Sequence, residues 1–355
     1  MSTPFSSMIA RLTETFLPGY VVRRMRVGRE WRRWVASITP EILDDLAHAP
    51  TEVKKRLFKS YVKLVEIEAN AKCNRVCSFC PNIVVDRRRN HTLTDAKLLD
   101  RVFEDLGSID YAQRIRFARY SEPLSNVRYL LDRIRSARRL VPHAELDVVT
   151  NTDYLKRSTL AQLRDAGLNK LYMSIYLKPS EKWTSELARV YGERLEKKLG
   201  TPITSRSETD VSVRCTYEYE GVELISSCMN FDEYGVDRGS TLAQYTGESR
   251  AGPCREPFWT FVIDYTGAVM PCCNLRSDLD EHKGFIVGDL TNPATTIFDI
   301  YAGRLAEWRQ SLVGFGSKEH PCQTCRHRDL PSEFIGPISG HLNRQLQRIG
   351  RGNLL

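Results

Sequence analysis

The densest chemical feature of the chain is Cys73-Asn74-Arg75-Val76-Cys77-Ser78-Phe79-Cys80. Three thiolates on one loop, four and then three positions apart, can hold three corners of a cubane iron–sulfur cluster, which needs a fourth ligand to be complete. A missing fourth protein ligand leaves one iron open to a small molecule, as an open coordination position does in catalytic metal centres. Zinc fits the triplet poorly, because closed zinc sites take four protein ligands, typically as two pairs. A second set, Cys254, Cys272, Cys322 and Cys325, ends in a Cys-x-x-Cys pair. Four thiolates can ligate another cubane fully, and by spacing alone they serve a four-cysteine zinc site equally well. Cys215, Cys228 and Cys273 complete the ten cysteines. Free buried cysteine is commonly a small core residue, and that is the plain reading for each. His320 and His327 flank Cys322–Cys325, either as solvated loop residues or as donors behind a cluster ligand. No GxGxxG or Walker lysine loop occurs.

These residues need a frame. A short β-type run over 62–67 ends in the loop 69–80 that bears the triplet. Helical patterns over 95–106, 126–139, 155–166 and 180–198 alternate with β-type runs over 114–118, 145–149, 170–175, 210–217 and 222–229. Such alternation predicts parallel βα units. Six strands over about 180 residues give an α/β fold class, a partial (β/α)6 TIM-like barrel with its chemistry on the loops after the strand C-termini. Beyond Gly239, runs over 259–264 and 268–270 flank Tyr265-Thr266-Gly267, a hairpin signal, and an amphipathic helix follows over 295–312. The expected organisation is a basic helical extension over 1–60, the barrel over 61–240, a small C-terminal iron–sulfur domain over 241–330 and a tail over 331–355 with a helical stretch at 339–348. In the extension, Leu12 with Phe16 and Val21 with Met25 keep one-turn spacing around a break at Pro18-Gly19. Arg23, Arg24, Arg26, Arg29, Arg32 and Arg33 follow, as a solvated helix face or as a grip on an anionic partner.

The triplet, with aromatic Phe79 before its last cysteine, resembles the signature of the radical S-adenosylmethionine (SAM) superfamily. The resemblance covers about residues 62–330. It implies that a [4Fe-4S] cluster on Cys73, Cys77 and Cys80 binds SAM through its open iron, and that SAM cleavage yields a 5′-deoxyadenosyl radical. A Gly-Gly-Glu-Pro-like motif binds the SAM amine in that family. The matching stretch here is Tyr120-Ser121-Glu122-Pro123-Leu124, in which Glu122 fits, Ser121 lies beside it and both glycines are replaced. By position, Thr150, Asn151 and Ser174 at strand ends are expected to meet the ribose or substrate, and Arg214 to meet the SAM carboxylate through a bidentate bond. The second cysteine set resembles the auxiliary twitch/SPASM region of certain radical SAM enzymes. No cysteine follows Cys325, which implies the single-cluster twitch type, with one auxiliary [4Fe-4S] cluster on Cys254, Cys272, Cys322 and Cys325. Arg238 matches a basic position that often precedes this region. Of the remaining thiols, Cys228, near a strand end, and Cys273, beside a cluster ligand, are candidate hydrogen donors to a substrate radical.

The composition is that of an ordinary globular enzyme: 355 residues, 41% hydrophobic, 27% charged, with net charge +8. It excludes a disordered chain and a disulfide scaffold. No run approaches ~18 apolar residues, so no transmembrane helix is expected. The first residues show no secretory h-region, and ten cysteines are then expected reduced in the cytoplasm. The resemblance implies hydrogen abstraction from a carbinol C–H of a sugar or aminocyclitol natural product, leading to epimerisation or dehydrogenation. It also implies a small, glycosidic substrate and an external electron donor such as flavodoxin or ferredoxin, with neither membrane nor nucleic acid as partner. A peptide-modifying maturase and a tRNA-modifying enzyme are the alternatives. The first 60 residues lack the strands of a leader-binding winged helix, and the basic stretch is what motivates the second.

Overall fold

The structure is a computed structural model that describes residues 19–354, with side chains from Met25 onward. The expected Leu12/Phe16 helical turn lies outside the described residues. Among the described residues ten strands form one sheet: β1 (Leu64–Ile67), β2 (Arg114–Phe117), β3 (Glu145–Thr150), β4 (Lys170–Ile175), β5 (Ile203–Thr209), β6 (Ser212–Tyr219), β7 (Val222–Met229), β8 (Thr260–Ile263), β9 (Ala268–Met270) and β10 (Gly288–Asp289). Their order is β10-β9-β8-β1-β2-β3-β4-β7-β6-β5. The six central strands, β8 to β7, are mutually parallel. Antiparallel strands extend the sheet on both sides. Among the described residues no helix is long and apolar enough to cross a membrane.

Alternation along the strands separates two chemistries. Val65, Ile67, Ile115, Phe117, Leu146, Val148, Leu171 and Met173 are buried in the layer under the helices. The opposite face is charged. Glu66, Arg116 and Asp147 are in register, and Arg116 Nε donates to Asp147 Oδ1 at 2.6 Å. Lys170 pairs with Glu145 at 3.0 Å and with Glu223 at 3.2 Å. The helices follow from their own patterns. In Ala96–Gly107 the apolar face is Leu98, Leu99, Val102, Phe103 and Leu106, and Asp95 caps the start by accepting from Lys97 N at 3.0 Å. Val127–Leu140 begins at Asn126, whose side chain accepts from Tyr129 N at 3.1 Å.

Six parallel strands are present, as expected, but their membership differs. The run after the helix Ser185–Leu199 forms a meander in which β5 and β6 are antiparallel, while β8 supplies the sixth parallel strand. β5 (ITSRSET) is polar and exposed along an edge, so it carries no apolar signal. β8 is expected only as half of a hairpin with β9. The hairpin is there, with Gly267 at φ +91°, but β8 also lies between β9 and β1, so the C-terminal region is continuous with the main sheet. The expected 295–312 helix is two, Ile297–Ala302 and Leu305–Val313, parted at Gly303.

The extension is seated on the C-terminal region. Within the helix Gly19–Ser37, Trp34 meets Trp31 edge-on at 5.4 Å and Phe258 at 5.4 Å. Trp34→Ala is expected to cost about 3–5 kcal/mol, read as a lowered denaturant midpoint. An unchanged midpoint would show that this helix is not part of the cooperative unit.

Candidate functional site

The triplet loop leaves the end of β1 and is anchored from the ends of β2 and β3. Asp153, just past β3, accepts from Asn74 Nδ2 at 2.6 Å and from both prongs of Arg75 at 2.7 and 2.6 Å. Asn151 Nδ2 donates to Asn74 Oδ1 at 2.8 Å. Beyond the last cysteine, Asn82 Nδ2 donates to Tyr120 O at 2.8 Å. Phe79 stacks on Phe231, ring centroids 3.7 Å apart, with Tyr176 5.0 Å away. The three thiols are free. Burial pushes Cys73 up to about 11 and Cys77 up to about 12, and repulsion from Cys80 adds to both. Three such groups can be thiolates together only around a cationic centre, so the donor set fits a cluster.

Glu122 follows β2 and is 1% exposed. Its backbone N–H donates to Lys72 O at 2.8 Å, which ties it to the residue before Cys73. Oε1 accepts from Thr150 Oγ1 at 2.6 Å and from Leu124 N at 3.0 Å, and Oε2 accepts from Asn151 N at 2.7 Å. Burial nevertheless pushes the carboxyl up to about 7. Among the described residues no basic side chain pairs with it, and Asp153 repels it. A buried acid lacking a cation fits an ammonium ligand. Ser121 Oγ is buried beside it and bonds to nothing among the described residues. Thr150 and Asn151 are at the site, but their hydroxyl and N–H are engaged by Glu122, so they position that carboxyl. Ser174 is within hydrogen-bond reach of Tyr176.

Cys254, Cys272, Cys322 and Cys325 converge on one narrow cavity lined almost wholly by apolar atoms. Burial and mutual repulsion push Cys322 and Cys325 up to about 12. This donor set too fits a metal centre. Arg250 braces it from below, donating to Gly252 O, Pro253 O, Cys325 O and His327 O at 2.8 to 3.2 Å. Asn274 Nδ2 lies 3.8 Å from Cys325 Sγ, and its Oδ1 accepts from Arg238 at 2.9 Å.

A buried polar seam joins the two thiol sets. Arg87 bonds Glu68 at 2.6 Å and Asp278 at 2.9 Å, and Arg276 bonds Asp278 at 2.8 Å and Asn82 at 2.8 Å. Tyr120 Oη donates to Cys273 O at 2.8 Å, and Arg119 donates to Leu275 O. Arg119 Nε and Arg238 Nε are buried and bond to nothing among the described residues.

The comparisons with known proteins settle what this arrangement belongs to. The model of the SPASM family, an iron–sulfur cluster-binding domain, matches residues 254–326, a span that begins at Cys254 and closes one residue after Cys325. The S-adenosyl-L-methionine-dependent 2-deoxy-scyllo-inosamine dehydrogenase of Niallia circulans is 31% identical over 273 residues, 76% of this chain and 95% of that protein. The chain is a radical SAM enzyme of the twitch/SPASM group. In fold it is similar to the crystal structure of BtrN in complex with AdoMet and 2-DOIA, at TM-score 0.53 and 22% identity over 75% of this chain and 94% of that one. Like its relatives, this radical SAM enzyme uses SAM and iron–sulfur chemistry.

Two expected site residues of the radical SAM enzyme are misplaced for their roles. Cys228 lies across from Ile175 and Val213 and is buried with them in the helix-facing layer, with the Trp183 indole against it. Its neighbour Ser227, paired with Ser174, faces the other way, so Cys228 sits in the core layer and not on the face that carries Ser174. Arg214 sits on antiparallel β6, exposed, and no bond joins it to the triplet loop or Glu122 among the described residues. Cys273 is better placed. Its Sγ is 3.8 Å from His327 Nε2, which lies 3.7 Å from Glu256 Oε1. Burial opposes charging of this pair, but mutual attraction holds Glu256 down to about 2, with help from Arg328, and raises His327 to about 9 beside Cys273. Nothing local in the sequence links Glu256, Cys273 and His327; only folding brings them together.

Proposed function

We propose that this radical SAM enzyme oxidises a carbinol carbon of an aminocyclitol or related glycoside to a ketone in the cytoplasmic assembly of a natural product. The observation that carries the reading is the 31% identity to the inosamine dehydrogenase over 95% of its length. In this reading Cys73, Cys77 and Cys80 hold the SAM-binding [4Fe-4S] cluster, Glu122 receives the SAM amine, and Cys254, Cys272, Cys322 and Cys325 hold one auxiliary [4Fe-4S] cluster. When bound, the cofactors supply a 5′-deoxyadenosyl radical that takes a hydrogen atom and an acceptor for one electron.

The chain's own residues orient and exclude. Asp153 and Asn151 fix the triplet loop through Asn74 and Arg75. Thr150 and the Asn151 N–H aim Glu122. The rings of Phe79, Phe231 and Tyr176 wall the site against water. The unengaged N–H groups of Arg119 and Arg238 and the Ser121 hydroxyl offer donors to substrate hydroxyls. Ser174 faces the same space. A flavodoxin or ferredoxin supplies the reducing electron.

Anaerobic turnover with candidate aminocyclitol glycosides in deuterated water tests the reading. The expected product is a ketone without deuterium at the reacting carbon. Cys272→Ala is expected to lower iron from about eight to about four per chain. It should leave 5′-deoxyadenosine formation in place while removing most of the ketone. An inverted alcohol carrying deuterium would instead mean epimerisation, with Cys273 as the thiol to test.

A further inference from the structure

The charge of the molecule is unevenly placed. Residues 19–37 hold six arginines against Glu30, and residues 335–355 hold Arg344, Arg348 and Arg351 with no acid. These two segments together account for the whole formal net charge of +8, so the rest of the chain is electrically balanced. They fold against each other. The helix Ile335–Arg348 runs parallel to Gly19–Ser37, with the Phe334 ring 3.0 Å from where a Gly28 Cβ would stand and Gln345 donating to Ile38 O at 2.7 Å. Their underside, Trp31, Trp34, Val35, Ile338, Leu342 and Leu346, is buried. Arg26, Arg32, Arg33, Arg344 and Arg348 are exposed. Two nearby acids are already engaged, Glu30 facing Arg255 at 3.9 Å and Asp44 bonded to Arg351.

Beneath this face lies the first cysteine of the auxiliary set. The Arg255 guanidinium sits 4.2 Å over the Trp31 ring and 4.6 Å over that of Trp259, and Arg255 is next in the chain to Cys254. We propose that the paired helices dock an acidic one-electron carrier protein of the flavodoxin or ferredoxin class, which exchanges electrons with the auxiliary cluster at its Cys254 corner. The proposal rests on the auxiliary cluster of the function proposed above. The electrons balance: the carbinol carbon gives up a hydrogen atom, then a proton to solvent and one electron, and that electron reduces the oxidised carrier by one. Clustered like charge steers an oppositely charged protein and makes the encounter depend on salt. Nucleic acid is disfavoured because the tryptophans of this face are buried under the arginines, which leaves no rings for bases to stack on.

The test uses reconstituted holoenzyme with its iron counted and a recombinant acidic flavodoxin as the probe. Binding is measured by calorimetry at two salt concentrations, and re-oxidation of the dithionite-reduced enzyme by oxidised flavodoxin is followed by stopped flow. Arg33→Glu/Arg344→Glu, on the exposed face, is expected to weaken binding at least tenfold and slow re-oxidation, with wild-type affinity falling as salt rises. Iron content and 5′-deoxyadenosine formation with dithionite should be unchanged. Flavodoxin binding and re-oxidation indifferent to both charge reversal and salt would overturn the proposal, as would salt-dependent binding of an RNA oligonucleotide in place of flavodoxin. Iron near four in the wild type would remove the auxiliary cluster itself, a failure of the underlying reading and distinguishable from the first.

Discussion

Cys77→Ala enzyme, reconstituted anaerobically, is expected to contain about four irons instead of about eight and to form no detectable 5′-deoxyadenosine. The triplet supplies only three protein ligands, so the loss of one leaves two, too few to retain the cubane with an iron open to SAM. The second cysteine set lies on separate segments and keeps its own metal. The expected loss is therefore of one cluster and of all radical formation, with the remaining iron unresponsive to added SAM by electron paramagnetic resonance. Cys215→Ala is the control. Its thiol lies 3.4 Å from where a Gly192 Cβ would stand, in the helix-facing layer, and its removal should leave iron and 5′-deoxyadenosine as they were. If Cys77→Ala kept both, the cluster would have to lie elsewhere.

The affinity for SAM is expected to climb as pH rises toward 7 and then level. Burial lifts the Glu122 carboxyl from an ordinary 4.5 to about 7. Below that point the folded protein holds a proton there, and an incoming ammonium must displace it. Each unit of pH below the folded value then costs roughly tenfold in affinity. The sign for stability is opposite. Between about 4.5 and about 7 the folded state without SAM binds more protons than the unfolded chain, so its stability falls as pH rises through that window, by ~3 kcal/mol at most, and is level above it. Glu122→Gln removes the titrating group. It should flatten both profiles and weaken SAM binding at pH 8 by roughly 10²-fold, the scale of a charged hydrogen bond. A calorimetric titration across pH decides it; a pH-independent wild type would separate Glu122 from the SAM amine.

The grouping of the cysteines was legible because their pattern is local: few residue types, short spacings, a loop after a strand. Glu122 was legible for the same reason, whereas the roles of Thr150 and Asn151 depend on which way a strand end turns. Neighbours in a strand point to opposite faces, and the structure accordingly buries Cys215 in the helix-facing layer while Arg214 is exposed. Cys228 is singled out by its nearness to a strand end, which does not say which face of the sheet the thiol takes. The sheet position of β8 is equally hidden, since four apolar residues do not say which edge they will join. Glu256 and His327 stand 71 positions apart, and no pattern in the sequence announces their meeting at Cys273.

The seat of β8 beside β1 also sets a schedule for the nascent chain. β1 finds its partner β2 within about fifty residues, but its other edge is covered only when Thr260–Ile263 has left the ribosome, about two hundred residues later. At ~5–20 residues per second that edge, rich in Val65 and Ile67, stays open for roughly ten to forty seconds. Any fragment ending before Thr260 lacks β8 and leaves that edge uncovered. Productive expression therefore calls for unbroken translation through β8 or a chaperone that shields this edge until its partner arrives.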